Sequence, residues 1–250
     1  MKYYFYYILM WLFICSQNAV AINKEREVII AASASIHPYV FVKTDSGIHL
    51  NLIKAALNAN GFANINVQYM SNKRAEHQLH NKGVDILLNY AGGISAGIYP
   101  SKTVLSYENV AITLKRNKYN IDKIEGMFNK NVLAFQNATA YLPPIFKRNV
   151  KHFSSYQEVI NQKAQVDKLL KGWVDVIVLD KRIFYYYYNQ HKSPEAVQIY
   201  TLFPKADRPA YFNNFSLATE FDIGLALIKQ NGTYKRIVDE GQTQTHSSIK

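Results

Sequence analysis

Asp180 is a carboxylate at the end of the apolar run VDVIVLD, which is typical of a short buried strand. A carboxylate at the mouth of a cleft can accept charge-assisted hydrogen bonds from a cationic ligand. The segment KRIFYYYYNQ follows directly and is predicted to be helical, so Asp180 also suits a helix N-cap. The two roles are compatible, and the sequence leaves both open.

Residues that could support catalysis or metal binding do not form a recognised motif. The sequence contains no Gly-x-Ser-x-Gly, no P-loop and no HExxH pattern. His77 and His80 could share one face of a polar helix. No third ligand stands near them in the sequence, so a solvated pair is favoured over a zinc site. We therefore expect a protein without catalytic residues, metal or cofactor.

The bulk composition describes an ordinary globular chain of 250 residues, 48% hydrophobic and 14% aromatic. That length suits one large domain or two small lobes. The formal net charge is +11, but the basic residues are scattered and no run has the density of a nucleic-acid arm. We expect a basic solvated surface and no nucleic-acid partner, with an acidic ligand or an anionic membrane as the sharper alternative.

The first 21 residues are predicted to be a secretory signal peptide. Lys2 precedes an apolar run, YYFYYILMWLFIC, and Ala19 and Ala21 are the small residues that a signal peptidase needs. The run is short for a membrane span, so cleavage after Ala21 is favoured over an uncleaved anchor. Cys15, the only cysteine, lies inside this segment. An exported chain without thiols suits the bacterial periplasm.

The first part of the mature chain alternates strands with helices. EVIIAA, INVQYM and VDILLNY are predicted strands, IHLNLIKAALNANGF and NKRAEHQLHNKG are predicted helices, and a hairpin is expected to turn at residues 44–47. Such alternation predicts a parallel, doubly wound sheet. Ligands of such sheets lie beyond the carboxyl ends of the strands. Those ends are the loop with His37 and Tyr39, residues 70–72 and residues 89–93.

The pattern begins again after an extended segment, NVAITLKRN. The predicted strands are NVLAFQ, VKHFSS and VDVIVLD, and the predicted helices are YQEVINQKAQVDKLLKGW and KRIFYYYYNQ. A second extended segment, VQIYTLF, a strand near residues 211–216 and two helices that meet at Asn231-Gly232 complete the chain. HNKGVDILLNY and LLKGWVDVIVLD form an internal repeat, in which Gly83 and Gly172 are predicted to end helices with positive φ. Two such α/β units joined by two extended crossings describe two lobes with a cleft.

The segments VDILLNY, QNATAYL, GWVDVIVLD and GLALIKQNGTYKRIV stand in an order and spacing that resemble a known family. The chain is similar to the type II periplasmic solute-binding proteins of the amino-acid type, the extracellular solute-binding family 3. The C-terminal stretch carries most weight, because the family commonly ends in an apolar helix followed by Lys, Gly-Thr-Tyr, a basic residue and Ile.

The resemblance implies an α/β, two-lobe fold, in which each lobe is a doubly wound, mostly parallel sheet and two extended crossover strands form the hinge. Residues 1–21 would be the signal peptide, 22–112 and 203–250 lobe 1, and 113–202 lobe 2. The terminal helices would cover the sheet of lobe 1. Gly232 can end the first of them, Thr233 can cap the second, and Tyr234 and Ile237 would share a buried face.

The resemblance also implies a ligand site at strand ends of both lobes. Asp180 would meet a ligand's ammonium group, and Thr139 and nearby amides would face an anionic group. Gly97 stands where the family has an Arg that binds a carboxylate through two parallel hydrogen bonds. The ammonium group of the nearby Lys102 is a point charge and cannot form this bidentate pair. The candidate ligand-binding residues are His37, Tyr39, Asn72, Asn89, Tyr90, Gly92, Lys102, Asn137, Thr139 and Asp180.

The resemblance further implies a periplasmic monomer that encloses a small polar solute, an amino acid or a related compound, by lobe closure. Its partner would be an ABC permease or a membrane sensor. Two alternatives stay open: a periplasmic enzyme on the same scaffold, similar to cyclohexadienyl dehydratase, and a ligand-free scaffold that regulates a partner protein. The tyrosines of FYYYY cannot share one helical face, so we expect lobe packing plus an exposed patch.

Overall fold

The computed structural model describes residues 22–32, 36–88 and 96–247, with side chains as far as residue 241. The predicted signal peptide and three candidate site residues, Asn89, Tyr90 and Gly92, lie outside the described residues. The strands are β1 (Val28–Ala32), β2 (Ile65–Tyr69), β3 (Ile86–Leu87), β4 (Tyr99–Tyr107), β5 (Asn109–Leu114), β6 (Asn131–Phe135), β7 (Ser155–Val159), β8 (Val176–Asp180), β9 (Val197–Tyr200) and β10 (Ala206–Phe212). The helices are α1 (Ile48–Ala59), α2 (Asn72–His80), α3 (Ala138–Tyr141), α4 (Pro144–Asn149), α5 (Gln162–Leu170), α6 (Lys181–Tyr188), α7 (Phe215–Gln230) and α8 (Thr233–Ser247).

The strands form two five-stranded sheets, with the orders β2-β1-β3-β10-β4 and β7-β6-β8-β5-β9. In each sheet three adjacent strands are parallel, and one strand, β10 or β5, pairs antiparallel with both of its neighbours. Four strands of each sheet therefore run in one direction, which confirms the expected mostly parallel α/β architecture. We refer to each sheet with its covering helices as a lobe.

The chain passes between the two sheets twice. Only Glu108 separates β4 in the first sheet from β5 in the second, and residues 201–205 lead back from β9 to β10. The expected boundary at residue 112 falls inside β5. Asn109 already pairs with Asp180 in the second sheet, so the crossing lies before residue 109.

Several local predictions differ from the structure. VKHFSS was expected to be a strand, but Val150–His152 is a 3₁₀ turn and the strand is Ser155–Val159, which pairs with β6. The expected helix from Tyr156 therefore begins only at Gln162. Residues 211–216 are the end of β10 and the start of α7. Instead of the hairpin expected to turn at 44–47, the structure has a 3₁₀ turn at Val42–Thr44 and an isolated bridge between Phe41 and Ser46.

The glycine predictions of the internal repeat are half right. Gly172 has a φ of 72° as expected, whereas in the first copy the positive φ of 59° belongs to Lys82 and Gly83 is not in the left-handed region. Both glycines still follow a helix and precede a buried strand. The repeat therefore marks equivalent places in the two lobes. The residue with positive φ is the lysine in the first copy and the glycine that follows the lysine in the second copy.

The core of the first lobe forms where α1 and α7 pack on the sheet. The α1 residues Leu50, Ile53, Ala56 and Leu57 are fully buried, as the helical spacing predicts. Helix α7 crosses α1 closely at Gly224, where a Cβ atom would lie 1.9 Å from the carbonyl oxygen of Ala56. This glycine lets the two backbones approach each other.

The two terminal helices meet at a corner built from Asn231 and Gly232. Gly232 has a φ of 82°, the left-handed conformation expected for a helix-ending glycine. The Asn231 side chain accepts a 3.0 Å hydrogen bond from the Thr233 backbone N–H. At the start of α8 an oxygen of Asn231 therefore accepts a backbone N–H, the role that the sequence predicts for the Thr233 hydroxyl. Ile237 is buried and Tyr234 half-buried. Helix α8 packs against α1 and also reaches α6 of the second lobe.

His49 is a buried charge-sensitive residue within α1. It is 0% exposed, and neither ring nitrogen has a hydrogen-bond partner among the described residues. Burial, with a smaller effect of Arg208, lowers its pKa from 6.5 to about 3. The imidazole is therefore neutral in the folded protein above about pH 3, whereas in the unfolded chain it becomes protonated below its ordinary pKa of 6.5.

Substitution of His49 by leucine is expected to remove part of the acid sensitivity of the fold. A lowered folded pKa gives stability that is present above pH 6.5 and is lost as pH falls towards 3, at about 1.4 kcal/mol per pH unit. Urea unfolding between pH 7 and 4 should show a shallower decline for His49→Leu. The exposed His77 provides the control, since His77→Leu should leave the decline as it is. An unchanged slope in His49→Leu would contradict the assignment.

Candidate functional site

The carboxyl ends of β6, β7 and β8 share one edge of the second sheet. Ala134 of β6 is level with Glu158 of β7 and with Val178 of β8. The residues that follow these strands therefore lie along a common edge, as parallel pairing requires. This edge carries Asn137, Thr139, Glu158 and Asp180, and we call it the lobe 2 edge.

Asp180 is 2% exposed and both of its carboxylate oxygens accept hydrogen bonds. Oδ1 accepts from the backbone N–H groups of Arg182 and Ile183 at 3.0 and 3.1 Å, which is the helix N-cap role. Oδ2 accepts from the backbone N–H of Glu108 at 2.9 Å. The Tyr39 hydroxyl, from the first lobe, donates to Oδ1 at 2.8 Å. Asp180 therefore caps α6 and also joins the two lobes.

Burial determines the protonation of this pair. It raises the pKa of Asp180, although the hydrogen bonds from Tyr39 and from the backbone amides of Ile183 and Glu108 act in the opposite direction. The pKa of Tyr39 is raised well above 10.0, first by burial and then by the Asp180 charge. Tyr39 therefore keeps its proton and is the donor of the cross-lobe hydrogen bond.

Further contacts, within the first lobe and between the lobes, surround the Tyr39–Asp180 bond. The Tyr39 ring stacks on Tyr107 with 4.3 Å between centroids, and the Arg208 guanidinium lies 4.7 Å from the Tyr107 ring centroid. Arg182 Nη1 of α6 donates to the Ser106 carbonyl at 3.2 Å. These residues lie beside Glu108, where the chain crosses, so the junction is well packed.

His37 contacts the tyrosines of α6. Its ring stacks on Tyr186 with 5.0 Å between centroids, and Nδ1 lies 3.2 Å from the Tyr187 hydroxyl. Burial lowers the pKa of His37, so the ring is neutral at pH 7. The FYYYY segment is thus divided: Phe184 is buried, Tyr185 is 36% exposed, and the next two tyrosines face the first lobe.

Glu158 occupies the turn at which an anionic group was expected. Its Oε2 accepts from the Asn137 backbone N–H at 2.7 Å. Its Oε1 accepts from the Thr139 backbone N–H and hydroxyl, both at 3.0 Å, and from the Tyr156 hydroxyl at 2.7 Å. Asn137 has a φ of 62°, which its side chain type tolerates. The anion at this turn is therefore a side chain of the protein itself.

The hydrogen bonds keep Glu158 ionised. Partial burial alone would raise its pKa, but the bonds from Tyr156, Thr139 and Asn137 outweigh burial and hold the pKa below its ordinary value of 4.5. The sequence does not indicate Glu158 and Tyr156 as site residues, because the pattern of YQEV predicts the start of a helix. Recognising Ser155–Val159 as a strand would have placed Glu158 near a strand end.

A scan against protein-family models gives no match, and a search of curated proteins gives no relative. Solved structures do match. The arginine-bound substrate-binding protein AbpA of Streptococcus pneumoniae is 13% identical, with a TM-score of 0.66 over 88% of this chain and 96% of that one. The second substrate-binding domain of Lactococcus lactis GlnP, in its open conformation, is 18% identical, with a TM-score of 0.63 over 88% and 96%.

The chain has the type II periplasmic binding protein fold. The ancestral amino-acid-binding protein described as a precursor of cyclohexadienyl dehydratase has the same fold, at 17% identity and a TM-score of 0.64 over 86% of this chain and 94% of that one. Identities this low establish the fold alone. The two-lobe architecture expected from the sequence is confirmed.

The remaining candidate residues of this binding-protein fold are spread over the first lobe. Asn72 is exposed at the start of α2, just after the edge strand β2. Lys102 is exposed on β4, the opposite edge strand, and its backbone N–H donates to Asp222 of α7. Gly97 has a φ of 83°, and no atom of the described residues beyond its chain neighbours would lie within 4 Å of a Cβ added there. Of the candidates in the described ranges, contacts join Tyr39 to Asp180, whereas Asn137 and Thr139 meet through Glu158.

A groove of about 320 Å³ lies at the other end of the second sheet. Thr113, Lys115, Lys118, Tyr119 and Tyr200 contribute to its wall. Strand β5 runs antiparallel to β8, so Asn109 is level with Asp180 while Leu114 is at the far edge beside Val197. Ligands of parallel α/β sheets bind at the strand carboxyl ends, and this groove lies at the opposite edge of the sheet.

Residues 22–32, 36–88 and 96–247 share two negative features. No helix there is long and apolar enough to cross a membrane. The same residues contain no group of three His, Cys, Asp or Glu side chains placed to hold a metal ion.

Proposed function

We propose that this protein is an extracytoplasmic solute-binding protein that encloses a small polar solute between its lobes and delivers it to a membrane transporter or sensor. The single observation that carries the proposal is the contact of Tyr39 with Asp180. It brings a loop after the first strand of lobe 1 to a strand end of lobe 2, so that both lobes contribute polar groups to one place. The fold and the neighbours' printed ligands, such as L-arginine for AbpA, support the same proposal.

Lobe movement is the mechanism that this fold supports. The sheets are linked by Glu108 and by residues 201–205, and small backbone changes at two such links can rotate one lobe against the other. The Tyr39–Asp180 bond and the stacking of His37 on Tyr186 hold the lobes together. A solute would favour the closed state only through contacts that it makes better there than in the open state.

Ligand screening by thermal shift is expected to reveal at least one stabilising solute among amino acids, amines and small anions. At a concentration of 100 times Kd, binding adds about 2.7 kcal/mol. For a protein of this size that amount raises Tm by roughly 5–10 °C. Calorimetry on the purified, exported protein would then give the affinity and stoichiometry.

Two variants make the screen specific to the proposed site. Asp180→Asn should weaken the shift, because it weakens the Tyr39 bond that holds the lobes together around a solute, whereas Glu195→Gln should retain it. Glu195 pairs with Arg116 beyond the opposite edge of the second sheet. The Glu195→Gln substitution therefore removes a carboxylate without changing the lobe 2 edge. Absence of a shift with every compound would favour the ligand-free regulatory scaffold.

The dehydratase-like alternative has weaker support. The neighbour related to that activity is itself described as an amino-acid-binding protein. On the lobe 2 edge, the carboxylates of Asp180 and Glu158 are both held by several donors, which suits fixed binding groups better than a general base.

A further inference from the structure

We propose that Glu158 determines the ligand specificity of this cleft: it stands where a solute's carboxylate would bind, so that the protein selects organic amines over the corresponding amino acids. This inference rests on the proposed solute-binding function. It concerns the same site and names the class of solute.

The donors of the turn at residues 137–139 are already used. The backbone N–H groups of Asn137 and Thr139 and the Thr139 hydroxyl all donate to the Glu158 carboxylate, at 2.7, 3.0 and 3.0 Å. The Tyr156 hydroxyl adds a fourth bond at 2.7 Å. A solute's carboxylate would have to displace Glu158 from these donors or remain beside a like charge. Either arrangement disfavours a second anion.

Glu158 remains accessible to a cation. Its residue is half-exposed, and its Oε2 accepts one described hydrogen bond, from Asn137, so this oxygen has capacity for another donor. The lowered pKa keeps it charged at neutral pH. Asp180, the other carboxylate of this edge, is 2% exposed and already takes its donor from Tyr39. Glu158 is therefore the carboxylate of the lobe 2 edge that an ammonium group can reach.

The overall charge of the chain does not reverse this preference. The formal net charge of +11 repels cations at long range. That field is screened beyond about 8 Å at physiological ionic strength. A charge-assisted hydrogen bond to Glu158 acts at contact distance, where it is stronger than a neutral bond. Local chemistry therefore decides between an amine and its parent amino acid.

The test compares compounds that differ only in a carboxylate. Calorimetric titrations of the purified protein would use three matched pairs: agmatine with arginine, cadaverine with lysine and putrescine with ornithine. We expect at least one amine to bind about tenfold or more tightly than its parent amino acid, because the parent's carboxylate must displace Glu158 from a charge-assisted hydrogen bond or lie beside its charge. Glu158→Gln should reduce that ratio to near one or reverse it, while Glu195→Gln should leave it unchanged.

The outcomes distinguish failure of the amine selectivity assigned to Glu158 from failure of the solute-binding function itself. If, in every pair that binds, the amino acid binds wild-type protein as tightly as its amine, the role of Glu158 is overturned and the solute-binding function still stands. A ratio that persists in Glu158→Gln, with a melting curve like that of wild type, also overturns it. Binding of no pair and of no other solute removes both. If Glu158→Gln fails to fold, the wild-type comparison alone still decides the selectivity.

Discussion

Replacement of Asp180 by alanine is expected to lower the free energy of unfolding by about 3–5 kcal/mol, because it removes a helix cap and leaves buried donors without an acceptor. The cap of α6 is lost at the backbone N–H groups of Arg182 and Ile183. The Tyr39 hydroxyl and the Glu108 N–H lose the oxygens to which they donate. Urea denaturation at pH 7 would measure the change.

Companion variants separate the capping role from the cross-lobe role. Tyr39→Phe removes only the bond between the lobes and should cost less than Asp180→Ala. A double-mutant cycle of the two should show a coupling of about 0.5–3 kcal/mol, as residues in direct contact do. The exposed Asp122 serves as the control, and Asp122→Ala should change little. If Asp180→Ala costs no more than this control, the buried network does not stabilise the fold as described.

Substitution of Gly224 by alanine is expected to destabilise the protein by about 3 kcal/mol, at the upper end of the usual cost of overpacking. The new Cβ would lie 1.9 Å from the Ala56 carbonyl oxygen, 2.8 Å from its carbon and 3.2 Å from the Asn60 Cβ. These are mostly backbone atoms of α1, so relief requires α1 and α7 to separate along their contact. The urea midpoint and Tm would both fall.

The sign of this effect makes the test sharp. In an exposed helix, alanine is favoured over glycine by about 1 kcal/mol. Ala226, which is exposed on the same helix, gives the matched control, and Ala226→Gly should cost roughly that amount. A stabilised Gly224→Ala protein would show that propensity outweighs packing, and that the two helices do not approach as closely as described.

Much of the fold is predictable because it depends on local pattern. VDVIVLD is short, apolar and bounded by polar residues, and it is β8; the apolar spacing of IHLNLIKAALNA predicts α1. The region 150–161 was misassigned for a physical reason. Val159 and Ile160 fit a helical spacing with later residues, but Ser155–Val159 finds a strand partner in β6, more than twenty positions away in the chain. Pairing over such separations is not visible in a local window.

The candidate site is less predictable than the fold. Asp180 could be placed at a strand end from its own neighbours in sequence. Its contact with Tyr39 joins residues 141 positions apart. No local sequence pattern indicates that a tyrosine hydroxyl donates a hydrogen bond to this carboxylate. The Glu158 contacts were missed because a side chain can replace a ligand only when the tertiary structure brings it to the turn. A side chain that fills a predicted ligand position can therefore be recognised only from the three-dimensional structure.

The strand order of the first sheet has a consequence for biogenesis. Strand β10 lies between β3 and β4, although it follows both lobes' other strands in the sequence. A chain that emerges from the ribosome amino end first therefore possesses every strand of the second sheet before the first sheet can be closed. During that interval β3 and β4 lack the neighbour that joins them, and their unpaired edges are open to other extended chains. Protection of these edges during synthesis is thus a requirement set by the topology.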